Sequence, residues 1–163
     1  MVKVRKARLS DVDEIVQLWK EFFDEHDNMV ISGNTQLAPY MEKKSDADQK
    51  FRNFAKKTIR SRNGLILVAD DDGKLVGYAL SLIKKNIVVF ELERYGYISD
   101  LFVKKEYRGR EISSMFKDES MKWFKQKGLK HASIMVQFQN RRAHEIYRKW
   151  GFHDLHIELR RKI

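Results

Sequence analysis

One string near the C-terminus constrains this chain most: Asn140-Arg141-Arg142-Ala143-His144-Glu145-Ile146-Tyr147-Arg148-Lys149-Trp150-Gly151-Phe152. Asn140 is a favoured N-cap, because its side-chain oxygen accepts from an orphaned backbone N–H at a helix start. Gly151 suits the left-handed residue just past a helix end. Together they predict a short helix between them. Within it Ala143 and Tyr147 are four residues apart and share a face. The alanine leaves a dent against which a ligand can lie, and the tyrosine holds a phenol above it. A helix that merely packed Ile146, Tyr147 and Trp150 into a core would need the apolar spacing. It would not need this cap, small residue and tyrosine together.

The rest of the chain supplies a mixed set of elements. Lys3 to Leu9 alternates and reads as a strand. Ser10 looks like an N-cap, and Asp13 and Glu14 suit the first turn of a helix from about Asp11 to Glu25. Ile15, Leu18, Trp19, Phe22 and Phe23 give that helix its apolar spacing. His26 to Lys44 has no clean period and reads as a long loop. Ser45 with Asp48 resembles a capping box for a second helix that stops near Asn63-Gly64. Leu65 to Ala69 and Leu75 to Ile83 read as a hairpin about the Asp70–Lys74 turn. Arg94 to Val103 is a further strand, Arg110 to Lys127 a helix ended by Gly128, and His131 to Val136 another strand. Phe152 to Leu159 alternates as a last strand. The order is β-α-α-β-β-β-α-β-α-β, a mixed α/β (α+β) layer arrangement.

Length and composition fit that reading. At 163 residues the chain is expected to form one domain, 1–163, with one substantial core. Charged residues make up 34% and hydrophobic ones 42%, which excludes a disordered chain. No apolar run approaches the ~20 residues needed to span a bilayer, and the N-terminus lacks a secretory apolar stretch. The absence of cysteine excludes a thiol nucleophile and a thiolate zinc site. These features point to a cytoplasmic protein without membrane contact.

The string N-x-x-A-x-x-x-Y-x-x-x-G-F resembles the last block of the GNAT superfamily of acyl-CoA-dependent N-acyltransferases, and every position is matched here. The element order is similar to the GNAT fold as well. The likeness is strongest from Ile98 to Phe152 and weakest from His26 to Lys44. It implies an N-acetyltransferase that moves an acetyl group from acetyl-CoA, as co-substrate, to a primary amine by direct attack.

The segment from Ile98 to Ser114 is a strand, a basic loop and a helix start. Helix N-termini bind phosphate through unpaired N–H groups and the dipole, and Gly109 lets backbone approach an anion closely. The loop looks like the family's pyrophosphate loop, [QR]-x-x-G-x-[GA]. Arg108 matches its first position; Glu111 and Ser113 stand where Gly and Gly or Ala are usual. The resemblance implies a cofactor site of Arg108, Gly109, Arg110, Glu111, Ile112, Ser113 and Ser114. It adds the backbone of Leu101, Phe102 and Val103 beside the pantetheine arm, with Asn140, Ala143 and Tyr147 across from it. In the family, the two strands at this point splay apart.

Acetyl transfer needs a neutral amine, a polarised carbonyl and a proton for the leaving thiolate. By resemblance Tyr147 is the general acid. The base is expected to be Asp100, which alternates with Ser99 on the strand before the loop, with Glu93 second. The N–H of Phe102 is a candidate donor to the thioester carbonyl. No histidine or carboxylate constellation suggests a metal.

The acceptor, a small-molecule or protein amine, is expected at the N-terminal helices. Tyr40, Tyr95 and Tyr97 are candidate cleft residues, and Asp24, Glu25, Asp27 and Glu42 are candidate grips for a cation. The formal charge of +10 predicts attraction to polyanions. Lys and Arg are spread along every element, which argues against a nucleic-acid module. A catalytically silent acyl-CoA-binding or regulatory relative stays open, motivated by Glu111 and Ser113. Dimers are frequent among relatives, but no interface stripe is legible here.

Overall fold

The structure is a computed structural model and describes residues 1–163. A five-stranded sheet holds β1 (Lys3–Lys6), β2 (Gly64–Asp71), β3 (Lys74–Lys85), β4 (Arg94–Val103) and β5 (Ala132–Ile134) in sequence order across the sheet. The first four are antiparallel, and β5 joins β4 in parallel. Helices α1 (Val12–Gly33) and α2 (Ala47–Arg60) cover one face, and α3 (Ile112–Gln126) covers the other. Helix α4 (Arg141–Lys149) follows β5.

Each face has its own core. On one side Ile15, Leu18, Trp19 and Phe22 recur at helical spacing and pack on Val68, Tyr78, Leu80 and Phe102. Trp19 stacks on Phe51 at 4.6 Å and 10°, which ties α2 to α1. On the other side Phe116, Trp123 and Phe124 of α3 pack on Val76, Ala79 and Ile98. Full burial of each such side chain contributes about 1.5–3 kcal/mol. Phe124 lies so close to β4 that a Cβ on Gly96 would sit 2.5 Å from its ring.

The β2–β3 turn is a two-residue loop, with Asp72 at φ 50° and Gly73 at φ 93°. That left-handed pair matches the twist of a hairpin, and Gly73 N–H donates to Asp70 Oδ1 at 2.7 Å.

Three expectations are corrected. Helix α1 does not stop near Glu25 but continues to Gly33. His26 packs on Phe22 at 4.1 Å, and Val30 is buried, so the core side carries on past the point where the polar residues blur the period. Asn34 then accepts from Gln36 N–H at 3.0 Å and opens a 3-10 turn over Thr35–Tyr40. The Ser45–Asp48 capping box does not form. The N-cap of α2 is Asp46, whose carboxylate pairs with Lys50, while Asp48 pairs with Lys20 at 3.0 Å. Charge-assisted bonds outcompete a neutral cap.

The last strand is absent as well. Residues 152–163 form no ladder, and Leu155, Ile157 and Leu159 stay 79–89% exposed. Alternation marks one apolar face but supplies no pairing partner. Here β5 is only three residues long. Asp154 is held by His144 and Arg148 on α4, and Arg160 lies over the Tyr40 ring at 5.4 Å.

Candidate active site

The parallel ladder between β4 and β5 ends at the pair Ile98–Ile134. Strand β4 continues to Val103, whereas the chain after Ile134 turns off toward α4. The two strands therefore fork, and a cavity of about 430 Å³ occupies the fork. Its walls are β4 from Ile98 to Val103, the loop and helix start around Arg108–Ser113, residues 134–137 after β5, and α4 at Asn140, Ala143 and Tyr147. The fifth wall is α1, through Phe22, Phe23, Glu25, His26 and Met29.

A bulge shapes the floor. Leu80 faces Asp100 and Ser81 faces Ile98, so Ser99 is the extra residue. Bulges re-aim side chains at sites like this. Asp100 is buried and accepts from Tyr78 Oη at 2.8 Å and from Ser99 Oγ at 2.7 Å. Burial raises its pKa above the ordinary carboxylate value, against the opposing effect of the two hydroxyl donors.

Backbone direction along β4 follows from one bond. Lys104 N–H donates to Val76 O at 2.9 Å, so antiparallel alternation pairs the backbone of Phe102 with Tyr78 across the strand. Leu101 and Val103 then turn their N–H and C=O groups away from β3, toward the fork. The expected donor, Phe102 N–H, is thus committed to the sheet, and Leu101 N–H is the group that faces the cavity.

The loop before α3 is shaped for an anion. None of the six amides from Gly109 to Ser114 donates to a backbone carbonyl. Gly109 at φ 79° and Glu111 at φ 61° flank Arg110. Left-handed residues of this kind turn successive N–H groups into a concavity suited to phosphate. Glu111 occupies the N-cap, and its carboxylate makes no cap bond. It meets the loop through its backbone. Arg108 bridges outward: Nε donates to Val103 O at 2.8 Å and Nη2 to Glu25 at 2.6 Å.

Helix α4 is built as its string implies. Asn140 Oδ1 accepts from Ala143 N–H at 3.1 Å. Gly151, at φ 89°, donates to Arg148 O, and Phe152 N–H reaches back to Tyr147 O at 3.1 Å. This is a Schellman end, closed by the Phe152 ring against Tyr147. Tyr147 is therefore fixed by both its helix and its neighbours Trp150 and Phe152. Burial alone pushes its phenol up to about 12, with no hydrogen bond contributing.

Other candidates stand apart. Arg110 and Ser114 belong to the loop but not to the cavity lining. Glu93 is exposed, and seven residues of strand put it about 23 Å from Asp100. Tyr95 and Tyr97 lie along the same strand outside the cavity; Tyr97 is buried and covered by Lys84 Nζ at 3.6 Å. Tyr40 is covered by Arg160. Of the acidic grips, Asp27 is paired with Lys43 and Glu25 with Arg108, while Asp24 and Glu42 are exposed on the surface. No group of three or more His, Cys, Asp or Glu is placed to hold a metal.

The sequence reading missed the α1 wall. Phe22, His26 and Met29 share a helix face, a spacing that becomes visible only when the helix is carried past Glu25. His26 has its pKa lowered by burial, opposed by Asp27 and Glu25, so it is neutral at pH 7.

The fork, the amide loop and the capped tyrosine helix have a counterpart in known proteins. The acetyltransferase (GNAT) family model matches residues 13–152. The chain belongs to that family. Acetyl-CoA is the co-substrate of GNAT acetyltransferases. Among its relatives is an uncharacterized N-acetyltransferase of Archaeoglobus fulgidus, 24% identical over 90% of this chain and 89% of that one. The fold matches a predicted acetyltransferase of Clostridium acetobutylicum solved with acetyl-CoA, at TM-score 0.76 and 18% identity, covering 99% and 96% of the two chains. It also matches AAC(6')-Iy in complex with the bisubstrate analog CoA-S-monomethyl-acetylneamine, at TM-score 0.76 and 14% identity over 100% and 99%. No helix of this GNAT chain is long and apolar enough to cross a membrane.

Proposed function

We propose that this family member moves an acetyl group from acetyl-CoA to a primary amine, with Asp100 as base and Tyr147 as general acid. The observation that carries the reading is the fork itself, bounded at one end by the free-amide loop, which lines it through Gly109, Glu111, Ile112 and Ser113, and beside it by the unpartnered, half-buried phenol of Tyr147. These groups fit acetyl-CoA: the amides of residues 109–114 suit a diphosphate, and the fork-facing backbone of Leu101 and Val103 suits an extended amide-bearing arm. Bound there, the thioester supplies the acetyl group.

The remaining work belongs to the protein. Leu101 N–H faces the cavity and is the donor for charge developing on a carbonyl oxygen. Asp100 takes the proton of the incoming amine. Its raised pKa brings it closer to the operating pH than an ordinary carboxylate, and Tyr78 and Ser99 hold its orientation. Tyr147 keeps its proton at every physiological pH and gives it to the departing sulfur. The apolar walls from Phe22, Met29 and Ile146 exclude water. A small-molecule amine is the favoured acceptor, supported by the neamine-derived ligand of a similar fold.

The test is calorimetry with acetyl-CoA, followed by an acetyl-transfer screen over polyamines, aminoglycosides and peptides. The reading predicts binding at micromolar to millimolar acetyl-CoA and turnover with at least one amine. Absence of cofactor binding across that range would remove it.

A further inference from the structure

Two ion pairs stitch α1 to the segment after β4. Glu21 holds Lys104 at 2.9 Å, and Glu25, one turn later on the same face, holds Arg108 at 2.6 Å. The first pair is a fixed seam away from the cavity. The second lies at the cavity itself, because Glu25 on α1 and Arg108 on the loop after β4 both line it.

Arg108 blocks two features in this state. Its Nε takes up the carbonyl of Val103, one of the backbone groups that face the fork. Its Nη2 neutralises Glu25, the only carboxylate that α1 contributes to the cavity lining. Its guanidinium also lies over Phe102 at 5.8 Å, so the side chain reaches across the cofactor wall. The free amides begin at the next residue, Gly109. A diphosphate seated on those amides offers Arg108 a doubly charged partner with bidentate geometry. Guanidinium prefers such a partner to one partly exposed carboxylate.

From this we propose that Glu25 is the acceptor-binding residue for a second, still protonated amine, and that Arg108 masks it until a diphosphate draws the guanidinium away. The inference rests on the proposed acetyl transfer. The amine to be acetylated must be neutral at Asp100, so a carboxylate elsewhere in the cavity wall serves a different nitrogen. The substrate class is therefore a di- or polyamine. His26 beside Glu25 is neutral and does not compete for it. Lys104 stays with Glu21 and holds α1 in place while Arg108 moves. Cofactor binds first, acceptor second.

Calorimetry with spermidine, with and without saturating CoA, tests this. CoA should tighten spermidine by about tenfold or more, and spermidine should tighten CoA by the same factor, as linkage requires. Glu25→Gln should abolish that coupling and strengthen CoA alone by about two- to fivefold, the worth of one partly exposed ion pair. Glu21→Gln, which breaks only the seam, should keep the coupling, and circular dichroism should show both variants folded. Spermidine affinity that is undetectable with CoA present, or equal with and without it, overturns the inference while leaving acetyl transfer standing. Retained coupling in Glu25→Gln overturns it too. Failure of CoA itself to bind removes both.

Discussion

Replacing Tyr147 with phenylalanine isolates one proton. Burial pushes this phenol to about 12, so at pH 8 about one molecule in 10⁴ is ionised. The phenol keeps its proton throughout the working range. Its hydroxyl makes no hydrogen bond within the protein and is not sealed from the cavity. Removing it costs no internal partner, so stability below pH 10 should change by less than about 1 kcal/mol. The ring contacts with Trp150 and Phe152 survive. Losing a positioned general acid should lower kcat by about 10²–10⁴-fold, or about 3–5 kcal/mol of barrier.

CoA affinity should stay within about threefold, because that acid acts only in the transition state. A thiol reagent follows the reaction cleanly, since the chain has no cysteine and only released CoA responds. The sign of the pH effect on stability also follows. The folded pKa is raised, so the contribution is complete below pH 10 and lost as pH climbs to about 12. The phenylalanine variant should lack that loss. A folded variant with turnover within about threefold of the parent from pH 6 to 9 would refute the assignment.

Glu111→Gly removes a left-handed non-glycine residue worth about 1–2 kcal/mol of strain, offset by about 0.5–1 kcal/mol of added unfolded freedom. Thermal unfolding should shift up by no more than about 6 °C. CoA should bind about two- to fivefold tighter by calorimetry, because a carboxylate ~8 Å from a diphosphate costs about 0.5 kcal/mol per charge in water. Asp100→Asn should lower kcat at least about tenfold with CoA affinity retained. The Asp100 carboxyl has a raised folded pKa, so its stabilising contribution is full below pH 3.8 and declines as pH rises through that value. Other carboxylates such as Asp11 and Asp70 have lowered pKa and gain stability over the same range, so the effect is read as a difference: the urea stability of the parent minus that of Asp100→Asn should fall from about pH 3 to 7. Gly96→Ala forces a methyl group into the Phe124 ring and should cost about 1–3 kcal/mol in urea unfolding.

Local rules reached far into this fold. The Asn140 cap, the Gly151 end and the shared face of Ala143 and Tyr147 all depend on bonds within five residues, and the sequence displays such bonds directly. The Asp72-Gly73 turn and the bounds of β4 were legible for the same reason. The long course of α1 was not, because His26 and Val30 gain their place from burial against a distant sheet rather than from periodicity. Phe152 to Leu159 shows the opposite case: a strand pattern without a strand, since a ladder needs a partner and β5 offers none of adequate length.

The site divides along the same line. Residue types and short spacings alone pointed to a helix start suited to an anion, a capped tyrosine helix and a carboxylate on the strand before the loop. Only the folded chain decided that β4 and β5 part after Ile98, that Leu101 rather than Phe102 turns its amide into the gap, and that Arg108 closes on Glu25. Those outcomes join residues up to 83 positions apart. They are set by strand register, burial and charge pairing, which no local window contains.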